Sequence, residues 1–240
     1  MPKQTPALPA PIDAATVVIA RDSADGIEVL MLRKNSKIHF GGMWVFPGGK
    51  VDPDDYNDQD VDPMGAFRRA AAREAFEEAN VRVEANALLH FSHWLPPAVR
   101  PVRFSTHFFL TPALAEHAKV EVDGGEITDH TWMSASRALK RRHVGEIEVV
   151  TPTFVTLDWI RRHANIAELQ ASVGRAVDYH TRIIATDGGN IAFYAGDAAY
   201  ESLDPTATGP RRRANMLASG WWWEEHDGSG VGPAPAAFDF

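Results

Sequence analysis

Apolar runs punctuated by turn signals occupy most of this chain. Val17–Arg21 and Ile27–Leu32 flank the segment D-S-A-D-G, which predicts two strands joined by a hairpin-like connection. A polar loop over Lys34–Gly42 leads to a short apolar run at Met43–Phe46, read as a third strand. Residues 52–62 carry six aspartates (52, 54, 55, 58, 60 and 62) and predict an acidic loop. Asp62 as N-cap and Pro63 as first helical residue predict a helix to about Ala79. On it Ala71, Ala72, Ala75, Ala79 and Phe76 fall roughly opposite the glutamates, free to lie against a sheet.

Strands follow at Ala87–Trp94, at Phe104–Leu110, and after Gly124–Gly125 up to Trp132–Met133. Ser134 caps a short helix through Arg141, and Thr151–Pro152 open a second long helix to about Leu169. Thr181–Thr186 and Ile191–Tyr194, joined by D-G-G-N, predict a hairpin. Strands interleaved with few helices predict an α/β fold, an α/β/α sandwich with a mixed β-sheet. The expected organisation is a flexible arm over 1–13, one domain with a C-terminal hairpin extension over 14–223, and a loose Gly/Pro/Ala-rich tail over 224–240.

The chemistry concentrates in R-E-A-F-E-E-A-N, Arg73–Asn80, downstream of F-P-G-G-K at Phe46–Lys50. Glu74, Glu77 and Glu78 stand at i, i+3 and i+4, within an arc of roughly 100° on a helix. Like charges at that spacing repel one another. A divalent cation converts the repulsion into binding, and oxygen ligands suit Mg²⁺ or Mn²⁺. Arg73, four residues before Glu77, can hold one of the carboxylates. A charged helix face turned to water is the plainer reading of such a cluster. The glycine turn after an apolar strand favours the catalytic one.

Composition narrows the alternatives. The formal net charge of −8 argues against a general nucleic-acid binder. Arg211–Arg213 followed by Trp221–Trp223 could offer cations and stacking platforms, but a packed C-terminal strand with buried tryptophans accounts for them more simply. There is no cysteine, hence no thiolate metal site. The ten histidines show no metal-binding spacing and read as scattered structural or surface residues. With no signal-like N-terminus and no apolar run of membrane-spanning length, a cytoplasmic protein is expected.

These motifs resemble the Nudix hydrolase family, whose signature is G-x5-E-x7-R-E-U-x-E-E-x-G-U with U a bulky apolar residue. Gly49 matches its leading glycine, and Arg73–Val81 match its second half. The chain is about ten residues longer than the pattern between Gly49 and Arg73. Asp55 falls at the front-glutamate distance from Gly49, whereas counting back from Arg73 gives Gly65. Ala75 is small for its slot, and Asn80 replaces the final glycine, which a left-handed helix end tolerates. The long insertion, F-P-G-G-K-V-D, A-F-R-R-A-A-A-R-E and R-F-S-T-H-F-F are similar to the Nudix-19-type, coenzyme A diphosphatase-like branch.

The resemblance implies metal-dependent hydrolysis of a diphosphate bond in a nucleoside diphosphate-linked small molecule, with coenzyme A or acyl-CoA the branch's substrates. Glu74, Glu77, Glu78 and the Gly49 carbonyl are then the expected metal ligands, and Arg73 orients Glu77. Glu126 is the first choice of general base, with Glu121, Glu146 or Glu74 itself as alternatives. Arg100, Arg103 and Arg33 are candidates for clamping phosphates. A non-catalytic Nudix module that senses a nucleotide-type ligand or mediates assembly is the competing expectation. The apolar segment around Trp221–Trp223 is open to a pocket wall or a homodimer interface.

Overall fold

The computed structural model describes residues 9–37, 41–58, 60–98 and 102–228. Its main sheet is eight-stranded. β1 (Ile12–Ser23) and β2 (Gly26–Lys34) form a hairpin closed at Ser23 and Gly26. Two short strands, β3 (Trp44–Val45) and β4 (Gly48–Lys50), pair with β2 and β1 respectively. β5 (Leu89–Leu95), β6 (Phe104–Pro112), β7 (Ile127–Ser134) and β8 (Val177–His180) complete it. The order is β3-β2-β1-β6-β5-β8, with β4 beside β1 and β7 beside β2. The β1–β6 and β5–β8 pairs are parallel and the others antiparallel, so the sheet is mixed.

β1 is apolar almost throughout because both of its faces are covered. Ala15, Val17 and Ile19 pack on one face with Leu30, Leu32, Phe109 and the alanines of α1 (Gly65–Ala79). Val18 and Ala20 pack on the other with Val29 and Met31, against α2 (Ala135–His143) and α3 (Thr151–Ile160). The result is the expected α/β/α sandwich. Ala71, Ala75 and Ala79 are fully buried, and their small side chains let α1 lie close to the strands.

Four local expectations change. Met64 rather than Asp62 is the N-cap of α1, without a side-chain cap bond. Asp62 instead accepts from the Met64 amide and pairs with Arg68. Phe76 is exposed with Arg82 stacked 4.1 Å over its ring. Glu78 borders the alanine face instead of opposing it: it is buried and accepts from the Gly48 amide. The long helix expected from Thr151 is two helices: α4 (Ile166–Ala171) restarts where the Asn165 side chain accepts from the Glu168 amide.

The C-terminal region builds a second, antiparallel sheet in the order β12-β11-β10-β9, from β9 (Arg182–Thr186), β10 (Gly189–Phe193), β11 (Arg211–Leu217) and β12 (Gly220–His226). Gly188 and Gly189, both at positive φ, make the β9–β10 turn. β12 carries regular structure three residues into the expected tail, and residues 1–8 and 229–240 lie outside the described residues. Arg213 is buried in a two-bond pair with Asp197, at 2.8 and 2.6 Å, which absorbs one member of the basic triplet into the fold. Trp223 is buried, and Trp221 packs edge-on against Phe154. Among the described residues no helix is long and apolar enough to cross a membrane.

Candidate metal centre at the acidic helix

Glu78 is the anchor of the site. Its side chain is 5% exposed, and its carboxylate accepts from the Gly48 amide at 2.9 Å and from Lys34 Nζ at 3.2 Å. Burial pushes its pKa up to about 7, against the pull of Lys34 and the Gly48 N–H. Glu74 is also raised by burial, although Arg73 beside it works in the opposite direction. Glu77 faces solvent, its side chain 55% exposed.

Arg73 ties these groups together. Its Nη1 lies 2.9 Å from both Glu74 and Glu77, and Nη2 donates to the Lys50 carbonyl at 2.8 Å. The same guanidinium reaches the buried Asp55 carboxylate at 2.9 and 3.3 Å. The expected Arg73–Glu77 contact is therefore one bond of four partners. Asp55 occupies the front position counted from Gly49, so the extra residues fall between Asp55 and Arg73. That insertion folds back on α1: Arg69 Nε donates to the Asp55 carbonyl at 2.7 Å and pairs with Asp60, while Arg68 pairs with Asp62. Asp52, Asp55, Asp60 and Asp62 are thus partners of helix arginines.

The glycine turn serves by what it lacks. A Cβ on Gly49 would land on the Glu74 carboxylate, and one on Gly48, at φ +157°, would strike the Ala15 carbonyl and Thr16. Glycine here lets the backbone of β4 reach both the sheet and the carboxylates. Glu74, Glu77 and Glu78 carry only oxygen donors, the type that suits Mg²⁺ or Mn²⁺.

The remaining candidates divide. Glu126, 67% exposed at its side chain, lies 3.6 Å from Lys34 Nζ, across that lysine from Glu78. It is held there by a turn in which Asp123 accepts from the amides of Gly125, Glu126 and Ile127 at 2.8–3.0 Å. Burial opposes ionisation of Asp123, but these donors keep its pKa below the ordinary value. Glu121 pairs with Lys119, and Glu146 with Arg141. Arg33 is exposed and, one residue before Lys34 on β2, points to the opposite face of the sheet. Arg103 donates to the Pro9 carbonyl at 2.7 Å and lines a groove with Pro96, Pro97 and His180. Arg100 lies outside the described residues.

Lys34 was not among the candidates. The alternation of β2 could have put it on the α1 face, but nothing local signals a partner 44 residues away.

Residues 11–154 match the NUDIX domain. No curated protein matches the chain. Among solved structures, a NUDIX hydrolase from Alicyclobacillus acidocaldarius is 24% identical, with a TM-score of 0.59 over 69% of this chain and 98% of that one. The NUDIX domain of Shewanella oneidensis NrtR, solved with ADP ribose, is 14% identical, with a TM-score of 0.47 over 65% and 90%. An Ap4A hydrolase from C. elegans is 22% identical, with a TM-score of 0.43 over 61% and 93%. The domain match spans more than half of the sequence, from the first strand to the third helix: the chain belongs to the Nudix family.

Proposed function

We propose that this protein hydrolyses the diphosphate bond of a nucleoside diphosphate-linked small molecule. The observation that carries the reading is the placement of Glu74 and Glu78 against the glycine turn, with Glu77 joined to Glu74 through Arg73. These three, with the Gly49 carbonyl, would hold Mg²⁺ or Mn²⁺; such a cation supplies Lewis-acid polarisation and neutralises charge on the phosphate oxygens. Arg73 orients Glu74 and Glu77. Glu126, held near the carboxylates by Lys34 and by the Asp123 turn, takes the proton of the attacking water. The water oxygen bonds to phosphorus, the bridging P–O bond breaks, and the second phosphate departs with that electron pair. A sensing module would suit a chain that lacks the front carboxylate, whereas here Asp55 stands at that position, bonded to Arg73.

Coenzyme A or an acyl-CoA is the proposed substrate, on the strength of the branch resemblance. The test is turnover of CoA, acyl-CoA, ADP-ribose, NADH and diadenosine polyphosphates with Mg²⁺ and with Mn²⁺, products identified by mass. Metal-dependent release of 3′,5′-ADP and phosphopantetheine is the expected result. Cleavage of ADP-ribose or NADH alone would discard the CoA assignment and keep the chemistry. Binding without turnover on any substrate would favour the sensing module.

Metal binding should also release protons. Without a cation, Glu78 with its pKa near 7 is largely protonated in mild acid, and burial stabilises that neutral form. The contribution to stability is present below pH 4.5 and fades as pH rises through 7. A cation needs the ionised form. Calorimetry in buffers of different ionisation enthalpy should therefore detect up to about one proton released per cation at about pH 6 and little at about pH 8.5. Equal release at both values would show that cation binding displaces no proton from Glu78.

A further inference from the structure

Histidines that are scattered in sequence meet on the α1 face of the main sheet. Register places His93 of β5 beside His107 of β6 on one side and Asp178 of β8 on the other. Period-two alternation then puts His180 on the same face as Asp178. One ligand atom from each of His93, Asp178 and His180 lies within 4.8 Å of the others. His93 stacks on His107 at 4.2 Å with ring planes 7° apart, and His180 stands edge-on to His93. Phe67 of α1 packs on His107 at 4.3 Å.

We propose that His93, Asp178 and His180 bind one divalent transition-metal ion, separate from the acidic helix. Two imidazoles and a carboxylate form a ligand set suited to Zn²⁺, Co²⁺, Ni²⁺ or Cu²⁺, whereas Mg²⁺ prefers oxygen alone. The arrangement around His93 fits a ligand. Its Nε2 lies 2.8 Å from Ser105 Oγ, while Nδ1 faces Asp178 at 3.1 Å. With the proton on Nε2 and donated to Ser105, the Nδ1 lone pair is turned toward the other two donors. A metal-bound histidine is commonly oriented in this way by an oxygen partner on its second nitrogen. Asp178 is 67% exposed, which leaves an entry path and room for water.

The site would also do structural work. β8 is a four-residue strand at the sheet edge, paired in parallel to β5. Ligands from both strands would fasten that edge, so binding should be read in stability as well as in occupancy.

The experiment uses the full chain carrying Glu77→Gln and Glu78→Gln, which disables the acidic helix without touching the histidines. Co²⁺ is titrated by visible absorption, and Zn²⁺ by calorimetry and thermal melting, with Mg²⁺ in excess. The expected result is one Co²⁺ per chain with the absorption of imidazole ligation, displaced by Zn²⁺, and a Zn²⁺-dependent rise in Tm. His180→Ala, an exposed position, should abolish both while leaving the circular dichroism unchanged. Ser105→Ala should weaken Zn²⁺ roughly 10- to 100-fold. No binding in the disabled background would overturn the proposal, leaving His93 in an ordinary hydrogen-bonded cluster. Binding undiminished by His180→Ala would overturn it equally, and unchanged affinity in Ser105→Ala would remove that residue's positioning role.

Discussion

Replacing Glu77 with glutamine lowers kcat for diphosphate hydrolysis by at least about two orders of magnitude, the scale on which loss of one catalytic electrostatic partner acts. Glu77 suits this test better than Glu78. Its side chain is 55% exposed and its ion-pair partner is Arg73, so glutamine keeps the shape and removes an anion without unsettling the core. Surface changes of this kind usually shift stability by no more than about 0.5 kcal/mol. A melting temperature close to the parent's would then show that the loss is chemical. Turnover at the parent's rate would strike Glu77 from the metal site.

Replacing Arg73 with methionine is expected to be the most destabilising single change at the site. Asp55 is 7% exposed at its side chain and relies on this guanidinium for its counter-charge. Removing one partner of a buried ion pair typically costs about 3–5 kcal/mol, because the other charge is left uncompensated. For a chain of this size each kcal/mol moves Tm by roughly 2–4 °C. Adding Asp55→Leu should recover much of the loss, and a double-mutant cycle would measure the coupling. A Tm unchanged in Arg73→Met would mean that Asp55 is carried by the Asp52 amide, 2.9 Å away, rather than by the arginine.

The parts of this fold legible in the sequence were those with local causes. The β1–β2 and β9–β10 hairpins announce themselves through Asp-Gly turns between apolar runs, and R-E-x-x-E-E announces the acidic face of α1. What failed depended on distance. Asp55 could be matched to the front position from one side only, because the insertion separates it from Arg73 and no spacing rule spans a loop of arbitrary length. Lys34 on β2, Glu78 on α1 and Glu126 in the turn before β7 converge only once those elements are assembled. The histidines of β5, β6 and β8 came together by strand register, which composition does not encode. Phe76 is apolar yet faces water beneath Arg82, because the alanines already fill the contact of α1 with the sheet.

The acidic cluster also sits at a revealing place along α1. Glu74, Glu77 and Glu78 occupy the last turns of a helix that ends at Ala79 and closes through Asn80, left-handed at φ 54°. The helix macrodipole leaves that end negative, and no basic residue stands in the last turn. Three acids have been placed where a stability-maximising sequence would put lysine or arginine. At the exposed Glu77 a neutral or basic replacement should leave the metal-free fold at least as stable, whereas Glu78, buried against Lys34 and the Gly48 amide, is held in place by partners that a neutral or basic residue would strand.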